Sequence, residues 1–124
     1  MAGEQIRVVE DNEKSMKLFR DVLQATGYRT LEARTAEDGV ELAAVHLPAL
    51  VLMDVQLPGI TGIEGLARLR RDERTAAIPV LALTAQAMHG DRERFLAAGF
   101  DAYLSKPVDV VELLRTVGEL LERE

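Results

Sequence analysis

Short apolar runs that alternate with longer segments of helical periodicity constrain the fold of this chain more than any other feature of its sequence. Five runs have the length and the Val, Ile, Leu and Tyr content of β-strands. They are residues 6–10, 28–33, 49–53, 79–83 and 101–104. Because a helical segment follows each run, the order is βα repeated five times. This order predicts an α/β fold, a doubly wound parallel five-stranded sheet with right-handed crossovers and helices on both faces.

The predicted helices have recognisable ends. They span residues 13–26, 35–46, 62 onward, 87–98 and 109 onward. Gly27 ends the first helix as a natural C-terminal cap. Capping boxes, in which two side chains each bond the other residue's backbone N–H, are predicted for Thr61 with Glu64 and for Asp109 with Glu112. These signals place the third and fifth helix starts within about a residue.

The length of 124 residues is typical of one domain, and the five βα units use the chain from about residue 6 to its end. We therefore expect one domain over residues 1–124, with no DNA-binding or catalytic output domain. With 48% apolar and 29% charged residues, the composition is that of a folded globular protein. Because the chain has no cysteine, a disulfide framework, a thiolate nucleophile and cysteine-ligated zinc are excluded.

The net charge of −6 argues against direct binding of nucleic acid, which needs clustered Lys and Arg. The first residues lack the basic and apolar regions of a signal peptide. The apolar runs are far shorter than the roughly 18 residues that a membrane span needs. We expect a soluble, cytoplasmic protein with no nucleic-acid or membrane partner.

Three residues need a separate interpretation. Arg7 is a charge in an otherwise apolar predicted strand. Because a charge inside a covered strand is costly, we place Arg7 near the exposed N-terminal end of its strand, with its head group in water. His46 and His89 stand at no strand end, so we interpret them as helix-surface residues rather than catalysts, and leave a partner contact open for His89.

The residues that follow the strands are the main functional candidates, because ligands of open α/β sheets bind beyond the carboxyl ends of the strands. Four of the five ends are reactive or charged, and a parallel sheet brings them to one edge. They are Glu10 and Asp11 after strand one, Asp54 after strand three, Thr84 after strand four and Lys106 after strand five.

Taken singly, most of these residues have a structural explanation. Glu10 and Asp11 are compatible with capping of the first helix, Thr84 with the start of a loop, and Lys106 with a solvated surface position. Asp54 differs, because it follows the least polar run of the chain. An ionised carboxylate there needs a cation or several hydrogen-bond donors to offset its desolvation.

Taken together, three carboxylates beside one lysine favour a hard divalent cation, and Mg²⁺ typically takes one or two carboxylates, waters and phosphate oxygens. Such a site lacks only a phosphoryl group. Asp54 can accept it as an acyl phosphate, while Mg²⁺ and Lys106 neutralise the charge on the transferring oxygens and Thr84 donates a hydrogen bond to one of them.

Four segments resemble the signature segments of the receiver domain of two-component response regulators, in the CheY-like superfamily. They are residues 9–12 (VEDN), 53–59 (MDVQLPG), 83–85 (LTA) and 105–107 (SKP). The resemblance covers nearly the whole chain. Within the family, the chain is most similar to single-domain regulators of the DivK type, through residues 10–13 and 16–19. It implies the flavodoxin-like strand order 2-1-3-4-5. Arg7 departs from the family pattern, which usually has an aliphatic residue there.

The resemblance also implies a metal-binding role for several residues. Asp54 would be the phospho-acceptor and Asp11 a direct ligand of Mg²⁺. Glu10 would hold the metal mainly through water, and the backbone carbonyl of Gln56 would complete the protein ligands.

Other roles implied by the resemblance concern the response to the phosphoryl group. Lys106 would pair with that group, and its peptide bond to Pro107 would be cis. Thr84 would move toward the phosphoryl group. Tyr103 would turn inward on the face formed by helix 4, strand 5 and helix 5.

The first functional hypothesis is therefore a phospho-receiver that takes its phosphoryl group from a histidine kinase or a histidine phosphotransfer protein. It would signal through a downstream protein partner and catalyse only its own phosphorylation and dephosphorylation, so we do not expect a turnover enzyme. We expect a monomer or a weak phosphorylation-dependent dimer. A receiver excised from a hybrid histidine kinase or a longer regulator remains an alternative.

Two further hypotheses come from other classes. A small Mg²⁺-dependent aspartyl phosphatase would commonly carry a second acid two residues after its nucleophile, where this chain has Gln56, and the chain lacks a cap domain. A binding module that signals without phosphate is disfavoured by the full set of Asp54, Asp11, Thr84 and Lys106.

Overall fold

Strands and helices alternate along the part of the chain that the structure, a computed structural model, describes, namely residues 3–85 and 91–122. The elements are β1 (Gln5–Val9), α1 (Glu13–Ala25), β2 (Arg29–Ala33), α2 (Ala36–His46), β3 (Leu50–Asp54), α3 (Gly62–Arg71), β4 (Val80–Thr84), α4 (Asp91–Ala98), β5 (Ala102–Ser105) and α5 (Val110–Glu122). The predicted βα order is confirmed. The predicted start of the fourth helix, at residue 87, lies outside the described residues.

The strands form one parallel sheet in the order β2-β1-β3-β4-β5, as the resemblance implies. All residues of β3 and β4 are buried, because helices cover both faces of the sheet. Both strands run one residue further than predicted, so Asp54 and Thr84 are the last residues of their strands. Asp54 is in register with Leu83, and Thr84 with Ser105. The carboxyl edge of the sheet therefore carries both side chains.

Two apolar layers hold the helices on the sheet. Leu50 and Leu52 of β3 lie in the layer that packs against α1 and α5. Val51 and Met53 of the same strand lie in the layer that packs against α2, α3 and α4. This alternation follows from the two-residue period of a strand, and it leaves the ends of the strands free to form a site.

The starts of α3 and α5 are capped by the predicted side chains of Thr61 and Asp109, but among the described hydrogen bonds neither capping box has its second half, the bond from the capping residue's backbone N–H to the Glu side chain. Thr61 Oγ1 accepts a hydrogen bond from the backbone N–H of Glu64 at 3.2 Å, and Asp109 Oδ1 accepts one from Glu112 at 3.1 Å. The Glu64 carboxylate accepts hydrogen bonds from Arg68 and Arg71. The side-chain caps thus fix where α3 and α5 begin, directly after the loops of the carboxyl edge.

The prediction that Arg7 lies near an exposed strand end is wrong. Arg7 is in the middle of β1 and only 2% exposed. Its guanidinium donates to the carbonyl oxygen of Glu32 at 3.3 Å and to Nδ1 of His46 at 2.9 Å, and burial lowers its pKa. These acceptors, together with the negative end of the α2 dipole, compensate for part of the lost hydration, although Arg7 Nε is buried and has no hydrogen-bond partner among the described residues. The sequence around Arg7 does not show that its hydrogen-bond acceptors lie on β2 and α2.

The two histidine predictions have different outcomes. His46 is exposed in the last turn of α2, as predicted, although its ring also accepts the hydrogen bond from Arg7. His89 lies outside the described residues. Among the helices in the described ranges, none is long and apolar enough to cross a membrane.

Candidate functional site

Three carboxylates meet at the carboxyl edge of the central strands. Glu10 and Asp11 directly follow β1, and Asp54 ends β3, the neighbouring strand. Each offers one carboxylate oxygen, and the three oxygens lie within 4.8 Å of one another. Glu10 and Asp54 are buried at 0% and 3% exposure, whereas Asp11 is exposed. The predicted convergence of these side chains is confirmed.

Lys106 reaches the same place from the end of β5. Its Nζ lies 2.7 Å from Glu10 Oε1 and 2.8 Å from Asp54 Oδ2. The backbone N–H of Lys106 donates to the carbonyl oxygen of Thr84 at 2.8 Å, which continues the β4–β5 pairing past the strand end. The peptide bond between Lys106 and Pro107 is cis, as predicted. One ammonium group therefore bridges two buried carboxylates.

Both oxygens of Asp54 have donors. Oδ2 accepts from Lys106, and Oδ1 accepts from the backbone N–H of Gln56 at 2.8 Å. The backbone next to Asp54 is also fixed, because Val55 N–H donates to the carbonyl oxygen of Leu83 at 2.9 Å. These contacts supply the cation and the donor that a buried carboxylate requires.

Glu10 and Lys106 influence each other's protonation. Burial raises the pKa of Glu10, although the hydrogen bonds from Lys106 and from the backbone N–H of Asn12 act in the opposite direction. Burial alone would lower the pKa of Lys106, but its hydrogen bonds to Asp54 and Glu10 outweigh that effect, so its pKa lies above the usual value. Lys106 is therefore a persistent positive charge at the site.

Thr84 and Tyr103 lie on the neighbouring strands β4 and β5. Thr84 is buried at the last position of β4. Tyr103 is half-buried on β5, and its ring centroid lies 5.4 Å from that of Phe95 on α4, at an interplanar angle of 34°. The Tyr103 ring thus connects the strand that leads to Lys106 with a helix on the outer surface of the fold.

Gln56 is exposed in the β3–α3 loop, residues 55–61, immediately after the buried Asp54 and Val55. The resemblance implies a metal-binding role for its carbonyl, whereas the described contact is that of its N–H with Asp54. Sequence reasoning missed this bond and the matching bond from Asn12 N–H to Glu10 Oε2 at 3.0 Å. In both cases a carboxylate accepts from the backbone two positions later, a local turn pattern that a search for acids before loops would find.

Phe95 was also missed, and no sequence signal distinguishes it from an ordinary core residue of a helix. It is buried, and it contacts Tyr103 on one side and Phe100 on the other. Its importance follows only from the packing of α4 on β5.

The donor set fits a hard divalent cation. The three carboxylates offer oxygen atoms, which are the ligands that Mg²⁺ prefers. Lys106 pairs with Glu10 and Asp54, and Asp11 adds a third carboxylate to the cluster, so a divalent cation would balance the negative charge that one ammonium group leaves. The exposure of Asp11 leaves one side of the cluster open to solvent.

The chain is similar to known proteins over most of its length. Residues 6–118 match the model of the response regulator receiver domain. The chain is 46% identical over 116 residues to the polar-differentiation response regulator DivK of Brucella ovis, and the match covers 94% of each chain.

Solved structures agree with this match. The receiver domain of a sensor histidine kinase of Pseudomonas aeruginosa, which has a magnesium ion coordinated in its active-site cleft, is 34% identical. It covers 98% of this chain and 100% of its own at a TM-score of 0.90. The chemotaxis protein CheY4 of Vibrio cholerae is 24% identical over 96% of this chain and 99% of its own, with a TM-score of 0.88, and shares the fold.

Proposed function

The chain belongs to the response regulator receiver domain family of two-component signalling, and on this premise we propose that Asp54 is its phospho-acceptor. The donor is a phosphohistidine on a histidine kinase or a histidine phosphotransfer protein, and the reaction depends on Mg²⁺. One observation carries the proposal. The buried Asp54 carboxylate lies 2.8 Å from Lys106 Nζ and within 4.8 Å of carboxylate oxygens of Glu10 and Asp11.

The chemistry is a phosphoryl transfer between a nitrogen and an oxygen. A carboxylate oxygen of Asp54 forms a bond to phosphorus while the P–N bond to the donor imidazole breaks. The electron pair of that bond returns to the ring nitrogen, which takes a proton, and Asp54 becomes an acyl phosphate. Lys106 neutralises the charge on the phosphoryl oxygens, and the Thr84 hydroxyl donates a hydrogen bond to one of them.

Glu10, Asp11, Asp54 and the backbone carbonyl of Gln56 are the residues that would hold Mg²⁺. The metal supplies further neutralisation of the phosphoryl oxygens. Support comes from the oxygen donor set and from the Pseudomonas aeruginosa receiver domain, whose structure contains magnesium in its active-site cleft. Lys106 contributes its charge whether or not the metal is bound.

The signal leaves through the face formed by α4, β5 and α5, in this proposal. Tyr103 packs on Phe95 of α4, so the strand that leads to Lys106 is in direct contact with a helix of this face. A groove of about 300 Å³ on the same face is lined in part by Arg92, Tyr103, Arg115 and Glu119. A downstream protein partner would read the changed surface, and the chain would act as a switch rather than as a turnover enzyme.

The alternative of a small aspartyl phosphatase is not proposed. Its second acid would stand at the position of Gln56, and the family match is to receivers.

The proposal is tested with acetyl phosphate as donor. In the presence of Mg²⁺ the wild-type chain should gain about 80 Da, the mass of one phosphoryl group, and a chelator should prevent the gain. Asp54→Asn should abolish it, and Asp11→Asn should require a higher Mg²⁺ concentration. A wild-type chain that gains no mass from acetyl phosphate or from a phosphorylated histidine donor would overturn the proposal.

A further inference from the structure

The β3–α3 loop carries Gln56, one of the proposed ligands of Mg²⁺. Backbone hydrogen bonds join its first residue to the sheet and the residue that follows the loop to that first residue. At its start, Val55 N–H donates to Leu83 of β4. At its end, Gly62 N–H returns to the carbonyl oxygen of Val55 at 3.2 Å. The middle of the loop contains Gly59 in the left-handed region, with φ of +78°. A contact to this middle part can therefore set the path of the loop.

Glu37, in the first turn of α2, makes such a contact. Its Oε2 accepts a hydrogen bond from the backbone N–H of Ile60 at 3.4 Å. The carboxylate also lies against Gly59, because a Cβ at that position would be 2.7 Å from Oε2 and 3.2 Å from Oε1. Oε1 is buried and has no hydrogen-bond partner among the described residues. A carboxylate is thus held against the loop despite the cost of burying one of its oxygens.

Close packing fixes the part of α2 from which Glu37 extends. Ala36 is fully buried, and a Cβ at Gly65 of α3 would lie 3.1 Å from its Cβ. One turn further along α2, a Cβ at Gly39 would lie 2.7 Å from a methyl group of Val9 on β1. These contacts leave α2 little freedom to shift, so Glu37 is presented to the loop from a rigid base.

We propose that Glu37 is a positioning residue of the phosphoryl-transfer site. Its carboxylate holds Gly59 and Ile60, and through them it sets the orientation of the Gln56 carbonyl toward Mg²⁺. The inference rests on the proposed function, because it concerns a metal ligand of that site. It assigns no contact between Glu37 and the metal or the phosphoryl group.

The test separates the reach of the Glu37 side chain from its charge. Glu37→Gln keeps the length and an oxygen acceptor but removes the charge, whereas Glu37→Asp keeps the charge but shortens the side chain. Asp38→Ala is the matched control, because Asp38 is an exposed acid in the same helical turn. The dissociation constant of Mg²⁺ is measured on the unphosphorylated chain from the amide NMR signals of the site during titration with MgCl₂.

We expect Glu37→Asp and Glu37→Ala to weaken Mg²⁺ binding about tenfold, the lower end of the effect of removing a residue that orients a metal ligand. Glu37→Gln should stay within about twofold of wild type, and Asp38→Ala should not change the affinity. Wild-type affinity in Glu37→Asp would overturn the inference, as would an equal loss in Glu37→Gln, which would assign the effect to charge.

The test gives a result even if one variant does not fold, and it distinguishes this inference from the proposed function. If Glu37→Ala fails to fold, the Asp and Gln variants carry the test, because both retain a polar side chain at a helix start. The wild-type chain distinguishes the two proposals. If it neither binds Mg²⁺ nor accepts a phosphoryl group, the proposed function fails and this inference with it. If it does both while Glu37→Asp behaves as wild type, only the inference fails.

Discussion

Lys106 is the residue on which the electrostatics of the site depend. Its ammonium group lies within 2.8 Å of two buried carboxylates, and its own side chain is only 18% exposed. Without Lys106, the two buried carboxylates of Glu10 and Asp54 would repel each other where little water can screen their charges. The resting site is thus partly neutralised by a residue that the proposed reaction also uses.

We expect Lys106→Met to lower the free energy of unfolding in chelator by about 2 kcal/mol. This is below the range for a fully buried pair, because Lys106 keeps part of its side chain in water. Addition of Mg²⁺ should restore part of the loss, since the cation binds the folded site. Urea unfolding with and without MgCl₂ measures both effects, and an unchanged unfolding curve in chelator would contradict this account of Lys106.

The hydrogen bonds of Arg7 give a second prediction about single residues. His46→Ala removes the acceptor of one guanidinium nitrogen, and we expect it to lower the free energy of unfolding by about 1–2 kcal/mol. Arg7→Leu removes the buried cation itself, so it should cost less than His46→Ala and be close to neutral. Val45→Ala, at an exposed neighbour in α2, is the control. Equal losses in Arg7→Leu and His46→Ala, measured by urea unfolding, would contradict the interpretation.

The Arg7 network also marks a limit of sequence-based prediction. The pattern correctly indicates an apolar strand with one charge in it. The acceptors of that charge are the carbonyl of Glu32 on β2 and the ring of His46 on α2, which become neighbours only in the folded chain. The sequence does not predict the contact of Glu37 with the β3–α3 loop either, because the two segments also become neighbours only in the folded chain. In contrast, the gathering of Asp54, Glu10 and Lys106 was predictable, because parallel strands bring their carboxyl ends to one edge.

At the scale of elements, the approach of α3 to β3 positions the site. Gly62, the first residue of α3, has no room for a side chain, since a Cβ would lie 2.5 Å from the carbonyl oxygen of Asp54 and 2.6 Å from Cα of Val55. α3 therefore begins directly against the backbone of the proposed phospho-acceptor. The capping residue Thr61 fixes this start, and the sequence predicted it from the capping signal.

Gly62→Ala should accordingly destabilise the fold by about 1–3 kcal/mol and slow phosphorylation by acetyl phosphate, because α3 must move away from Asp54. Gly118→Ala in α5 is the matched control. Among the described residues no atom outside its own helical surroundings lies within 4 Å of a Cβ there. That variant should gain about 0.5–1 kcal/mol from helix propensity and phosphorylate at the wild-type rate. Similar behaviour of the two alanine variants would contradict the close-approach argument.

For the whole molecule, the sheet connects the site to the face formed by α4, β5 and α5. Tyr103 lies in β5 and Lys106 directly follows that strand, and Tyr103 packs on α4 through Phe95. The fold class was predictable because five apolar runs alternate with five segments of helical periodicity, and the strand order followed from the resemblance to receiver domains. The packing of Phe95 on Tyr103 was not, because it depends on how α4 lies across β5.

We predict that phosphorylation changes this face and leaves the opposite one largely as it is. With beryllofluoride and Mg²⁺ as a mimic of the phosphoryl group, the NMR signals of Tyr103, Phe95 and the described part of α4 should shift. Signals of β2 and of the C-terminal half of α2, far from Lys106 in the sheet order, should shift least. Shifts confined to the residues around Asp54 would contradict a signalling role of the α4, β5 and α5 face.

The central claim is that the Asp54 carboxylate carries the phosphoryl group. Borohydride reduces an acyl phosphate to an alcohol, so treatment of the phosphorylated chain followed by peptide mapping identifies the residue that was modified. The account predicts that the reduced residue is Asp54 and that the product is lost when phosphorylation is attempted in chelator. Reduction at Glu10 or Asp11, or a phosphate that survives borohydride as an ester of serine or threonine, would contradict it.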